Sequence, residues 1–155
     1  MIYLGADHGG FSLKESIKKY LESLNYEYKD LGNTVIDNDD DYPVYAFAVA
    51  EAVAKYESSG EWKDKDKGIL FCRSAGGVIV AANKVNGAFA IPCYDENSAK
   101  HARLHNDANI IAISGDWTTE EKAKKIIKIF LETEFSNEER HVRRIKMITD
   151  YESRK

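Results

Sequence analysis

The stretch Gly68-Ile-Leu-Phe-Cys72-Arg-Ser-Ala-Gly-Gly77-Val-Ile-Val-Ala-Ala-Asn-Lys84 decides the fold. An apolar run ends on a cysteine, a short Gly/Ser turn follows, and a small-residue apolar segment from about Gly76 to Lys84 reads as a helix. That order sets a thiol at the carboxyl end of a buried strand, facing the amino terminus of the next helix. In open α/β sheets ligands bind in this crevice, because backbone N–H groups and the helix dipole converge there. A helix N-terminus also favours thiolate, the form in which cysteine acts as base or nucleophile. An isolated cysteine is more often a small buried hydrophobe. The neighbours of Cys72 and three further motifs reverse that preference.

Working outward, the chain alternates strand and helix with short connections. Met1 to Ala6 reads as a strand, and Leu13, Ile17, Leu21 and Leu24 form a helical stripe over Phe11–Leu24. Tyr26–Leu31 is a more polar strand near a sheet edge, and Asn33–Asp41 an acidic loop. Pro43 suits the first position of a helix running to about Tyr56 with Val44, Phe47, Ala48 and Val53 inward. Residues 57–67 form a charged loop. Beyond the opening stretch come strand Ala88–Pro92, helix Asn97–His105 and strand Ile110–Ser114. Thr118 with Glu121 forms a capping box for a helix carrying Ile126, Ile127, Phe130 and Leu131, and a basic helix begins near Arg140. Strands alternating with helices predict a parallel sheet covered on both faces.

Composition narrows the function classes. The 155 residues predict one domain spanning 1–155, and 43% hydrophobic with 31% charged residues is ordinary for a globular protein. A net charge of −4 argues against nucleic acid as a partner. No apolar run approaches a membrane span, and Met1-Ile-Tyr-Leu-Gly5 opens on a strand rather than a secretory leader. Cys72 and Cys93 show neither metal-ligand spacing nor a disulfide framework, so a cytoplasmic chain is expected.

Three further clusters carry chemistry. Asp7-His8-Gly9-Gly10 closes the first strand at the same sheet edge as Cys72; Asp7 alone reads equally as an N-cap, whereas His8 is placed to donate to a ligand oxygen. His105-Asn106 ends a helix, where a cap is the ordinary role, yet an imidazole there also suits a general acid. Arg140 and Arg144, four apart on a helix, share one face and suit a phosphate.

Asp7-His8-Gly9-Gly10, Asp41-Tyr42-Pro43, Gly68–Cys72, Ala81-Ala-Asn-Lys84, Ser98-Ala-Lys100, His105-Asn-Asp-Ala-Asn109 and Arg140-His141…Arg144 occur in order. Together they resemble the ribose-5-phosphate isomerase B family and its galactose-6-phosphate isomerase relatives, over residues 2 to about 148. The resemblance implies a Rossmann-like α/β/α sandwich with a five-stranded parallel sheet and a C-terminal helix reaching a partner subunit. It implies a homodimer or tetramer with shared sites, no metal and no cofactor. The implied reaction interconverts aldose and ketose phosphates through an enediolate. By position, Cys72 matches the base, His105 the ring-opening acid and Ser74 the hydroxyl assisting it. Asp7 and Asn106 match hydroxyl-binding positions; His8, Arg140 and Arg144 match phosphate-side positions. Gly76 and Gly77 of the turn are expected against the substrate.

The chain also departs from that pattern. Arg73-Ser74-Ala75-Gly76-Gly77 stands where the family has Gly-Thr-Gly-x-Gly. Ser114-Gly115-Asp116 stands where the family has Gly-x-Arg, and Phe89 where relatives often have arginine. A cation gained at Arg73 and one lost at Asp116 suggest a pairing across adjacent strand ends, or an Arg73 that itself meets the phosphate. A galactose-6-phosphate-type activity and a non-catalytic sugar-phosphate-binding subunit are the rival readings.

Overall fold

The computed structural model describes residues 1–54 and 65–154. In chain order the described elements are β1 (Ile2–Ala6), α1 (Phe11–Ser23), β2 (Tyr28–Asp30), α2 (Tyr42–Ala54), β3 (Lys67–Cys72) and α3 (Gly76–Ala82). They continue with β4 (Ala90–Pro92), α4 (Glu96–Asn106), β5 (Ile110–Ser114), α5 (Glu120–Glu132) and α6 (Glu139–Glu152). Every strand pair is parallel, in the order β2-β1-β3-β5-β4. Strands β3 and β5 lie inside, buried along their whole length, because continuous apolar runs such as Ile69-Leu70-Phe71 suit a sheet covered on both faces. The three-residue β2 and β4 form the edges.

Side chains alternate across the strands and divide the core in two. Phe71, Ile111 and Ile113 pack with Ile17, Leu21, Ile127 and Phe130 from α1 and α5. Leu70 and Ala112 face the other way, onto Val49, Ala50, Val78 and Ala82 of α2 and α3. This is the parallel sheet covered on both faces that the alternation of elements predicts, and the Rossmann-like three-layer sandwich that the resemblance implies.

Two local expectations need correction. Helix α2 buries Ala46, Val49, Ala50 and Val53, whereas Val44 and Phe47 point outward. Its sequence is apolar all round, so no stripe marks the inner face. Close approach decides instead: Val49 lies against the Cα positions of Gly5 and Gly68, where a larger residue would collide. The N-cap of α5 is Thr119, which accepts from Lys122 N–H, while Thr118 is buried; the expected Thr118–Glu121 box is one residue out of register. The capping box lies on α4, where Asp95 accepts from Ser98 N–H at 2.7 Å and the Ser98 hydroxyl accepts from the Asp95 N–H. The end of the helix expected to reach Tyr56, and most of the charged loop at 57–67, lie outside the described residues.

Candidate active site

The carboxyl ends of β1, β3 and β5 converge on one crevice. In register, Ala6 pairs with Phe71 and Cys72 with Ser114, so the residues after each strand emerge side by side. Backbone bonds continue past the strand ends, from Gly115 N–H to the Cys72 carbonyl at 2.8 Å and from Asp116 N–H to the Arg73 carbonyl at 3.2 Å. The Ser114 hydroxyl also donates to the Arg73 carbonyl. Asp7, His8, Cys72, Arg73, Ser74, Gly76 and Gly77 are therefore held at one sheet edge by the strand register itself.

Cys72 is buried, and the turn after it wraps the sulfur. Ala75 N–H donates to Sγ at 3.1 Å, and Ala75 takes a left-handed conformation (φ 67°) to do so. That conformation costs an alanine about 1–2 kcal/mol. Arg73, which stands where the family has glycine, keeps a negative φ; the positive φ of this turn falls at Ala75. Gly77 leaves room for the Tyr42 ring, which a Cβ there would meet at 2.8 Å.

Electrostatics correct one expectation. Burial pushes the Cys72 thiol up from its ordinary value, and the nearby Asp7 carboxylate pushes the same way. The N–H groups of Val78, Ala75 and Ser74 oppose both without overturning them. The helix N-terminus thus moderates an upward shift rather than producing a downward one. Asp7 is itself raised, chiefly by burial, although Gly10 N–H donates to its Oδ1 at 3.1 Å. It closes the turn before α1; the helix N-cap is Gly10.

Arg73 reaches Asp116 across the strand ends, Nη1 to Oδ2 at 3.5 Å, with both side chains well exposed. The charge exchange read from the sequence is present as a contact. At this exposure it contributes little to stability, within about 0–1 kcal/mol. His8 is tied down more firmly: its Nδ1 lies 2.7 Å from Oδ1 of Asp40, a side chain only 3% exposed. Sequence reading passed over Asp40, because nothing distinguishes it from the other aspartates of 37–41.

The remaining predicted residues lie elsewhere. Helix α4 starts at the carboxyl edge and runs back along β5, so its last turn sits at the amino edge, about 16 Å away. There His105, Asn106, His141 and Arg144 line a groove of about 430 Å³ with Asn83, Phe89, Ile145 and Ile148. The cap of α4 is neither His105 nor Asn106 but the left-handed Asp107, whose carboxylate holds the buried Arg103 at 2.7 Å. This frees the two preceding side chains. His105 stacks on His101, with ring centroids 4.8 Å apart, and lies against the tilted ring of His141 at 4.6 Å. Partial desolvation and these two imidazoles hold its pKa below the ordinary value. Arg140 turns to Glu138 at 2.9 Å. The predicted site residues therefore fall into two groups, at opposite edges of the sheet.

An open parallel α/β sheet with a buried thiol and carboxylate at one edge, and histidine, asparagine and arginine at the other, defines a class. The chain belongs to the ribose/galactose isomerase family, whose sequence model matches residues 2–148. It is 40% identical to the probable ribose-5-phosphate isomerase B of Mycoplasma genitalium, over 97% of this chain and 95% of that protein. It is 38% identical to the ribose-5-phosphate isomerase B of Mycobacterium tuberculosis, over 97% and 89%. Its fold superposes with a TM-score of 0.90 on the crystal structure of the Mycoplasma genitalium enzyme with bound ribulose 5-phosphate. That match has 39% identity and covers 99% of this chain and 97% of the other. The Thermotoga maritima ribose-5-phosphate isomerase B gives 0.86 at 36% identity, over 96% and 97%. Among the described residues no helix is long and apolar enough to cross a membrane.

Proposed function

We propose that this isomerase interconverts ribose 5-phosphate and ribulose 5-phosphate through an enediolate, in a site completed by a second copy of the chain. Cys72 carries the proton. As thiolate it removes the hydrogen on C2 of the open-chain aldose while the C1 carbonyl becomes the enediolate oxygen. A proton passes from the C2 hydroxyl to the C1 oxygen, and returning the thiol's proton to C1 then leaves a carbonyl at C2 and a free thiolate. Such a base needs a pKa near working pH and donors for the developing oxyanion. The turn supplies donors through its backbone N–H groups, that of Gly77 first since Gly76 N–H already points to the Ser74 hydroxyl at 3.4 Å, and Ser74 supplies a hydroxyl.

The single observation carrying this reading is the geometry of Cys72: a buried thiol whose sulfur accepts a backbone N–H, beside a buried aspartate. Asp7 and Asn106 bind sugar hydroxyls, and His105 opens the ring. Its lowered pKa suits a neutral imidazole that first accepts the anomeric proton and then delivers it to the ring oxygen. His8, Arg140, Arg144 and Arg73 supply the phosphate side. Because His105 and Cys72 lie at opposite edges of one chain, a homodimer brings one copy's groove to its partner's crevice. Two unpaired cysteines suit a cytoplasmic setting.

Cys72→Ser is the test. Turnover of ribose 5-phosphate should fall about 10²- to 10⁴-fold, the span a general base contributes. Cys93→Ser should stay close to wild type, since burial pushes that thiol up to about 12 and holds it inert. A Cys72→Ser enzyme with half the normal rate would remove Cys72 as the base. A panel of pentose and hexose phosphates assayed alongside separates this activity from the galactose-6-phosphate type.

A further inference from the structure

We infer that Asp40 is a positioning residue for His8: its carboxylate fixes the imidazole through Nδ1 and leaves Nε2 as the nitrogen that meets the substrate. This rests on the reading above, in which His8 meets the substrate.

Four contacts hold Asp40. Oδ1 lies 2.7 Å from His8 Nδ1 and accepts the His8 backbone N–H at 3.2 Å. Oδ2 accepts from Asn33 Nδ2 at 2.9 Å, and the Tyr45 side chain bonds the same carboxylate. An ionised carboxylate only accepts, so the ring nitrogen facing it carries a proton. The partner on one imidazole nitrogen sets the state of the other. In the neutral ring Nε2 is then an acceptor for a sugar hydroxyl, and only the cation, with Asp40 as its counter-charge, donates from Nε2 to a phosphate oxygen. Nε2 itself has no hydrogen bond to the described residues, and the side chain keeps 22% of its surface open.

The support behind Asp40 is built rather than incidental. The Asn33 carbonyl accepts from Lys14 Nζ at 2.8 Å, and that lysine, wholly buried, also holds Asp30 at 2.6 Å. The acidic loop is thereby anchored to α1 and β2. Asn33 Oδ1 is buried without a partner among the described residues. The amide is turned so that its donor serves Asp40 while its acceptor goes unmet, an arrangement that native interiors rarely keep. It aligns Asp40 and, through Asp40, His8.

The ordinary alternative is that the pair merely clips the loop to β1. The tautomer separates the two. In ¹⁵N-labelled full-length protein, with the His8 signals assigned through His8→Gln, two-bond ¹H–¹⁵N spectra should show the neutral ring protonated on Nδ1. Asp40→Asn should shift it toward the Nε2–H form and raise KM for ribose 5-phosphate roughly ten- to hundredfold, the scale of a lost hydrogen bond to a charged group. The change in kcat should stay within about threefold, because binding rather than the proton transfer is affected. In the His8→Gln background, Asp40→Asn should add nothing. A wild-type His8 protonated on Nε2 overturns the inference, with no variant needed. So does an equal rise in KM with and without His8. Should wild type fail to isomerise ribose 5-phosphate, the functional reading fails while the tautomer still decides the role of Asp40.

Discussion

Burial and the Asp7 carboxylate both raise the cost of ionising Cys72, which makes the thiol a poorer thiolate than its place at a helix start implies. Replacing Asp7 by Asn removes a negative charge near the sulfur. The thiol pKa should drop, more thiolate should exist at any given pH, and the midpoint should move to lower pH. Alkylation of the free enzyme by iodoacetamide against pH, in a Cys93→Ser background, reads this directly. An unmoved midpoint would show that the Asp7 charge does not act on Cys72. At this scale the sequence was informative about residue types and silent about their surroundings. Cys72, Asp7 and His8 stand out by their position at strand ends, and the turn glycines mark the crevice. Asp40 does not stand out, because which aspartate of a run turns inward depends on Lys14 and Asn33, partners far from the motif. The direction of the Cys72 shift was equally hidden: it is set by how deeply the fold buries the sulfur.

Elements were legible where amphipathic stripes are clean and illegible where they are not. Helix α1 is apolar at Leu13, Ile17 and Leu21 and buries those residues. Helix α2 offers apolar side chains in all directions, so only the space left beside Gly68 selects its inner face. The end of α4 shows how an element serves the site. Arg103 is buried and binds the carbonyls of Thr133 and Ala108 as well as the Asp107 carboxylate, so it joins α4 to the end of α5. Asp107→Asn retains a side chain that tolerates the left-handed cap but removes the charge facing Arg103. Unfolding in urea should show a loss of about 1–3 kcal/mol, the scale for a charge-assisted bond to a buried group. Substrate KM should rise too, because His105 and Asn106 ride on this turn. A change below about 0.5 kcal/mol, the level of an ordinary surface substitution, would show that the carbonyl bonds suffice.

For the whole molecule, the separation of the two groups of site residues makes a prediction about mixtures. Cys72→Ser and His105→Asn each disable a different half. If the site is shared as proposed, co-refolding them in equal amounts gives mixed dimers in which one of the two composite sites joins two intact halves. Random pairing makes half the dimers mixed, so activity should recover to roughly a quarter of wild type. No recovery in mixtures shown to contain mixed dimers would place both halves of a working site in one chain. The topology bears on how such copies meet. At the β4 edge Asn83 accepts the Ala90 N–H at 2.8 Å and donates to its carbonyl at 2.9 Å, so a side-chain amide fills the place of a sixth strand. Pro92 adds a position with no N–H to offer. On this flank the groups that would template a neighbouring chain are already occupied, which bars the fibre-like stacking that bare strands invite. Crowded copies are left with contacts between side-chain surfaces, which, unlike a ladder of backbone bonds, can come apart and re-form.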